Sequence, residues 1–521
     1  MRAFLTHLLL SILVAGSLLT GCSTNPVTGK NEFSLVSKSQ EIAIGKQQYA
    51  PMRQAQGGDY TVDAELTRYV SEIGQKLAAV SDRKLPYEFK VLNSSVPNAW
   101  ALPGGKIVIN RGLLTELDSE AELAAVLGHE ITHAAARHGA RSMSRGMLLQ
   151  GAMLGAVIAS QGKDYAQLAQ LGAGIGAQLI TQKYGRDAER ESDFYGMKYM
   201  SRAGYDPEGA IELQKTFVKL SEGRQSDWLS GMFASHPPSR ERVQNNIKTA
   251  ATLPKGGKLE RARYRSKIAH LIQSRPAYDN YDKARKALAD NDLGTAAQLA
   301  KKAQQQEPRE GHFYALLGDI ALKRDRSQTA KRYYDQAIQR NHNFFYYYLQ
   351  RGLAEKRLGQ TPQSKQDLEK SVTLLPTADA YNTLGNIALQ QGQRQQAKTY
   401  YAKAAADKKG TAGKSAFNAL VELDLPDNPS KYVHVRAGKG KNGQLIVEVN
   451  NRAPRTVGGL VLALQVTDTK GRRKLLKRKL EGTLNANTRE TISLGTFPAQ
   501  YTGVQAQIVK ARIINSGRVR R

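Results

Sequence analysis

The chain is predicted to be mainly α: an α+β domain, then a solenoid of paired helices, then a small C-terminal β-sandwich. Three observations lead there. Apolar residues recur at helical spacing through the first half, around two short strand-like runs. Residues 277–410 repeat with a period of 33–34. From about Lys431 the alternation switches to period two.

Residues 1–21 read as an export signal, with Arg2 as the positive start and Leu8 to Leu19 as an apolar run too short to span a bilayer. The run ends in Leu19-Thr20-Gly21-Cys22, which resembles the lipobox of bacterial lipoproteins. That resemblance implies cleavage before Cys22 and a lipid on it, and Ser23 after it implies the outer membrane. Cys22 is the only cysteine, so no internal disulfide exists. Net charge is +30, from 76 Lys/Arg against 46 Asp/Glu. An exported basic chain points away from nucleic acid and toward anionic lipid headgroups, lipopolysaccharide or acidic protein surfaces.

Residues 22–50 read as a polar, extended lead-in linker, and 51–255 as the α+β domain. There Leu66, Val70, Ile73 and Leu77 form a helical stripe, and Tyr87 to Leu92 and Lys106 to Asn110 read as strands around the turn-rich Asn98-to-Gly105 segment. Asp118 or Ser119 can cap the next helix, with Glu122 completing a capping box. That helix carries His129-Glu130-Ile131-Thr132-His133. Histidines at i and i+4 share one helix face and can hold one zinc ion per chain, with the glutamate placed as a general base. The pattern points to hydrolysis of a peptide bond.

A catalytic zinc needs a third protein ligand and one open position. His138 lies five residues after His133, a spacing that rotates it off the metal face of a helix, and is rejected as a ligand. Glu189 and Asp193 lie at i and i+4 on a helix expected over Arg186 to Arg202. Glu189 is expected as the third ligand, and Asp193 as the acceptor that fixes a histidine tautomer. Glu191, about 200° away around that helix, reads as an ordinary surface residue. The Gly-, Ala-, Leu- and Met-rich residues 143–182 read as apolar helices packed near the site.

H-E-x-x-H with a downstream E-x-x-x-D, here Glu189 to Asp193, resembles the zinc metallopeptidase family of the CaaX prenyl proteases and the heat-shock protease HtpX. Gly185 before Arg186 and Ser192 before Asp193 are small-for-small departures from its second motif. The resemblance implies a zincin-like fold. It also implies that an extended substrate adds as a strand beside Lys106–Asn110 or the segment just before it. It places Ser235-His236-Pro237-Pro238 and Arg242 near the site. There Arg242 is expected to stabilise the oxyanion. His236 either donates a hydrogen bond at the same place or reaches the zinc and blocks the water position; alternatively the prolines only fix a helix start.

The repeat units start near 277, 311, 345 and 378, and the array is expected over 277–425. Small residues recur at the eighth position (Ala284, Gly318, Gly352, Gly385), the twentieth (Ala296, Ala330, Ser364, Ala397) and the twenty-seventh (Ala303, Ala337, Ser371, Ala404). This resembles the tetratricopeptide repeat, whose stacked helix pairs bind polypeptide. Members of the peptidase family that carry such repeats imply a periplasmic role in outer-membrane protein quality control. Misfolded or stalled envelope proteins are then the substrates, and the repeats dock on assembly machinery. The alternative is a periplasmic chaperone or assembly scaffold with gated or minor proteolysis. Residues 431–521 form the expected basic sandwich, with 19 Lys/Arg against 4 Asp/Glu and the densest cluster at Arg472, Arg473, Lys474, Lys477, Arg478 and Lys479.

Overall fold

The computed structural model describes residues 22–148, 184–223, 236–440 and 443–514. Residues 1–21, with the expected export signal, and 149–183, most of the apolar stretch after the zinc motif, lie outside the described residues. The chain forms two compact units, one ending at Tyr347 and one beginning at Tyr348. No helix among the described residues is long and apolar enough to cross a membrane.

The first unit opens with a hairpin of β1 (Cys22–Thr24) and β2 (Asn31–Phe33), then α1 (Lys38–Ala55). The expected extended lead-in is therefore mostly structured. Its anchor is polar, which apolar periodicity does not register. Glu41 of α1 is buried and paired with Arg83 at 2.8 Å and Arg137 at 2.5 Å. Arg137, at φ +62°, also bonds Ser23, Ser34 and the Val36 carbonyl.

α2 (Ala64–Ala79) is capped by Asp63 and buries the Leu66, Val70, Ile73 and Leu77 stripe. It packs on a three-stranded sheet ordered β3 (Glu88–Leu92), β5 (Lys106–Asn110), β4 (Ala99–Leu102). β3 runs parallel to β5, and β4 antiparallel. Gly104 and Gly105, both at φ near +80°, close the β4–β5 hairpin in a conformation that a side chain resists.

α3 (Glu120–Ala135) carries the H-E-x-x-H motif through the core, and every residue in it except His129 is buried. Ser119 caps it by accepting from the Glu122 amide, while the Glu122 carboxylate accepts from the Asp118 amide. α4 (Arg186–Arg202), α5 (Glu208–Gly223) and α6 (Arg240–Ala251) complete the shell around it.

Paired helices follow: α7 (Ala269–Ala289) with α8 (Leu293–Gln306), and α9 (Gly311–Lys323) with α10 (Ser327–Arg340). Buried polar bonds fasten them to the earlier elements of the same unit. Glu310 accepts from Asn93 and Tyr278, each at 2.8 Å, and His312 Nε2 lies 2.9 Å from the Gly57 carbonyl.

The second unit holds the rest of the array: α11 (Phe345–Arg357, entering from the first unit), α12 (Thr361–Leu374), α13 (Ala378–Gln390), α14 (Arg394–Ala404) and α15 (Thr411–Asp424). The small eighth residue has a visible cause. A Cβ on Gly318 would meet the Tyr334 ring at 2.6 Å, and one on Gly385 the Tyr401 ring at 2.5 Å. In the first repeat the residue equivalent to these tyrosines is Ala300, and there the eighth position accommodates Ala284. Gly385→Ala is expected to destabilise the protein by about 1–3 kcal/mol through overpacking against a buried ring, read as a lower thermal midpoint. Gly385→Ala with Tyr401→Ala should recover much of the Gly385→Ala part of that loss.

The β-sandwich packs β6 (Val433–Lys439), β7 (Gln444–Asn451) and β11 (Arg489–Thr496) in one sheet. The other sheet has β8 (Val457–Asp468) at its centre. β9 (Arg473–Lys479) and the short β10 (Thr483–Leu484) lie on one side of it, and β12 (Tyr501–Ile513) on the other. Val447, Val449, Leu460, Leu462, Leu464 and Val466 fill the core between the sheets, as their alternation predicts.

Candidate metal centre

The site forms where α3 and α4 touch backbone to backbone. A Cβ on Gly128 would lie 2.9 Å from the Gly196 carbonyl oxygen, and one on Gly196 2.9 Å from the His129 amide nitrogen. This close approach sets Glu189 and Asp193 of α4 against the histidines of α3.

Nitrogen and oxygen atoms converge there from four residues, His129, His133, Glu189 and His236. His133 Nε2 lies 3.0 Å from His129 Nε2 and 3.4 Å from Glu189 Oε1. His236 Nδ1 lies 2.9 Å from Glu189 Oε1 and 3.3 Å from His129 Nε2. His129 Nδ1 is 3.0 Å from Asp193 Oδ1. Because the carboxylate can only accept, Nδ1 carries the proton and the Nε2 lone pair faces the cluster. Ligands about 2.0–2.1 Å from a tetrahedral ion are spaced about 3.3 Å apart, so the separations suit one. Glu189 Oε2 is buried with no hydrogen-bond partner among the described residues, although Arg242 lies in ion-pair contact at 3.2 Å. An orphaned carboxylate oxygen beside facing imidazole lone pairs fits a cation, so these residues could hold a metal.

Glu130 lies next to this group, 1% exposed, with Oε1 3.7 Å from His236 Nε2. Burial raises its pKa; the facing histidines His236 and His129 oppose the rise. Asp193 shows the opposite balance. Burial resists its ionisation, but the Arg242 guanidinium, bonded through two nitrogens at 2.7 Å, and His129 hold the carboxyl at about 2.

Arg242 differs from its expected place at an oxyanion. Its guanidinium bonds Asp193 and the Pro237 carbonyl and pairs with Glu189. It is spent on positioning carboxylates, because α6, capped by Ser239, lays its first turn across α4. Glu191 also differs from an ordinary surface residue. It lies 3.2 Å from His138 Nε2 and accepts from Asn25 at 3.1 Å. His138 Nδ1 in turn lies 2.8 Å from His133 Nδ1. His138 lies outside the converging group yet meets His133 from behind, since α3 stops at Ala135 and the left-handed Arg137 redirects the chain. Tyr184 stacks on His133 with ring centres 4.2 Å apart. No spacing rule exposes this Asn25–Glu191–His138–His133 chain; the αL turn at Arg137 has no sequence mark such as glycine or asparagine.

The sheet order separates the two segments expected to pair with substrate. β5 is central, bonded on both sides and wholly buried, so it has no free edge. β4, in the segment before it, is an edge strand, and Ala101 and Leu102 line a small cavity together with His133 and Tyr184.

An α+β domain with H-E-x-x-H on a buried helix, and a carboxylate from a second helix closing the group, defines a metallohydrolase joined to helical repeats. Peptidase family M48 matches residues 64–250, and the tetratricopeptide repeat matches residues 311–343 and 378–406. The putative beta-barrel assembly-enhancing protease of Vibrio cholerae is 29% identical over 267 residues, 49% of this chain and 54% of that protein. The beta-barrel assembly-enhancing protease of Yersinia pestis is 30% identical over 256 residues, 46% of this chain and 51% of that protein. The metalloprotease YcaL of Escherichia coli is 30% identical over 257 residues, 46% of this chain and 95% of YcaL. The chain belongs to peptidase family M48. It spans about half the length of the two assembly-enhancing proteases.

Proposed function

We propose that this protein is a zinc-dependent endopeptidase that hydrolyses misfolded or stalled cell-envelope proteins in the bacterial periplasm. In this reading it is tethered to the outer membrane through a lipid on Cys22. The observation that carries the catalytic part is the convergence of His129, His133 and Glu189 with Glu130 beside them. The names of the Vibrio and Yersinia relatives support the envelope-assembly part.

His129, His133 and Glu189 would hold the zinc, and Asp193 keeps His129 in the tautomer that offers its Nε2 lone pair. A bound zinc would supply Lewis acidity toward the scissile carbonyl and acidify water. Glu130 accepts the proton of the attacking water and passes it to the leaving amine. The β4 edge aligns the extended substrate by backbone hydrogen bonds. The repeats hold unfolded polypeptide or the assembly machinery. Removal of zinc by a chelator should abolish cleavage of casein, and zinc should restore it.

His236 occupies the fourth corner of the group, where an active site needs an open position. In this reading it is a gate. His236→Ala is expected to raise basal cleavage of an unfolded reporter several-fold. A fall in kcat would instead make His236 a hydrogen-bond donor to the reaction. The gate also supports the second reading, an assembly scaffold in which proteolysis is held off until a partner acts. Zinc content and casein cleavage, measured together, separate the two.

A further inference from the structure

The basic sandwich carries its excess charge on one sheet. Register fixes which side chains share its outer face. Lys479 and Lys510 flank Val461, Lys477 and Gln507 flank Ala463, and Leu475 and Gln505 flank Gln465, with Arg473 beside Thr467. The alternate residues Leu460, Leu462, Leu464 and Val466 point into the core. The outer face of these rows thus carries Arg473, Lys477, Lys479 and Lys510 and no carboxylate. Lys474 and Arg478 extend the charge along the β9 rim. Arg473, Lys474, Lys477 and Arg478 have no ion-pair partner among the described residues. Lys479 meets only the exposed Glu481, at 3.2 Å.

An edge strand needs only one or two charges to discourage aggregation. The opposite sheet behaves in that ordinary way: Arg489 on β11 pairs with Glu448 on β7. β9 departs from it twice. All its cations but Lys479 lack an ion-pair partner among the described residues, and between Arg473 and Lys477 stands Leu475, 62% exposed. Lysine stems and an apolar side chain projecting from a cationic face suit the boundary between phosphate headgroups and acyl chains. A nucleic-acid surface would add stacking rings, and no aromatic residue lies in these rows.

We propose that the β9–β8–β12 face docks on an anionic phospholipid bilayer surface, with the cations on the phosphates and Leu475 dipping among them. The docking is independent of the peptidase reading and of any lipid on Cys22.

The test is sedimentation of the full chain with vesicles of phosphatidylcholine, with and without phosphatidylglycerol. An anchor or signal segment contributes to both vesicle types, so the ratio of the two affinities isolates the face. Arg473→Gln, Lys477→Gln and Lys479→Gln together should lower that ratio roughly tenfold or more. Leu475→Ser should lower affinity for the anionic vesicles several-fold. Raising salt from about 0.1 M to about 0.5 M should collapse the ratio. Far-UV circular dichroism and casein cleavage report that the variants fold, since these side chains stand outside the core and the metal centre. A triple variant that keeps the wild-type ratio overturns the proposal. So does wild-type-like binding by Leu475→Ser combined with equal capture of polyglutamate or single-stranded DNA, which would make the face a general polyanion surface.

Discussion

Glu130→Gln is expected to lower kcat on an unfolded reporter by roughly 10²–10⁴-fold while leaving fold and zinc content intact. Glutamine keeps the size and planarity of the side chain and can still hydrogen-bond, but it cannot take a proton from water. Glu130 is almost wholly enclosed, and burial already resists its ionisation. Removing that charge costs the fold nothing and should leave the thermal midpoint equal or slightly higher. Zinc content is the second readout, because Glu130 lies beside the group that would hold the ion rather than within it. The assignment of Glu130 as base fails if the purified variant carries zinc and still cleaves at the wild-type rate.

Local chemistry with a fixed period was legible in the sequence. Ser119 as cap, the i and i+4 histidines of α3 and the i and i+4 carboxylates of α4 each depend on one helix alone. The repeat was legible because the eighth-position glycines answer a large side chain at a fixed distance within the same unit. What was not legible depends on two elements meeting. Glu41 binds Arg83 and Arg137 from distant parts of the chain, so a segment without an apolar stripe still folds. His138 lies outside the converging group, and its approach to His133 from behind follows from the positive φ of Arg137, which spacing along a helix does not show. The carboxylates that Arg242 meets were not legible either, since which carboxylate a guanidinium meets follows from how α6 crosses α4. Whether β5 or the segment before it serves as substrate edge stayed open in the sequence, because strand order is a property of the sheet, not of either strand.

The second large effect follows from such a crossing. Gly196→Val is expected to weaken zinc binding by about 10–100-fold and to lower activity with it. The Cβ of residue 196 would stand 2.9 Å from the His129 amide nitrogen and 3.0 Å from the Gly128 carbonyl carbon. Both are helix backbone and cannot rotate aside as a side chain would. α4 must therefore move away from α3, and it carries Glu189 and Asp193 with it. Glu189 Oε1 already stands 3.4 Å from His133 Nε2, so a small further separation spoils a group that one ion has to span. Overpacking should also cost about 1–3 kcal/mol of stability. Glu189→Gln provides the contrast. It removes a carboxylate at the same centre without separating the helices, so it should lose zinc while keeping more of the thermal midpoint. Competition with a zinc-binding dye, run beside thermal melts of both variants, distinguishes them. Wild-type zinc affinity in a folded Gly196→Val protein would mean that the Gly128–Gly196 contact does not position Glu189. The site would then owe its geometry to Arg242, which ties Asp193 and Glu189 to α6 from the opposite side.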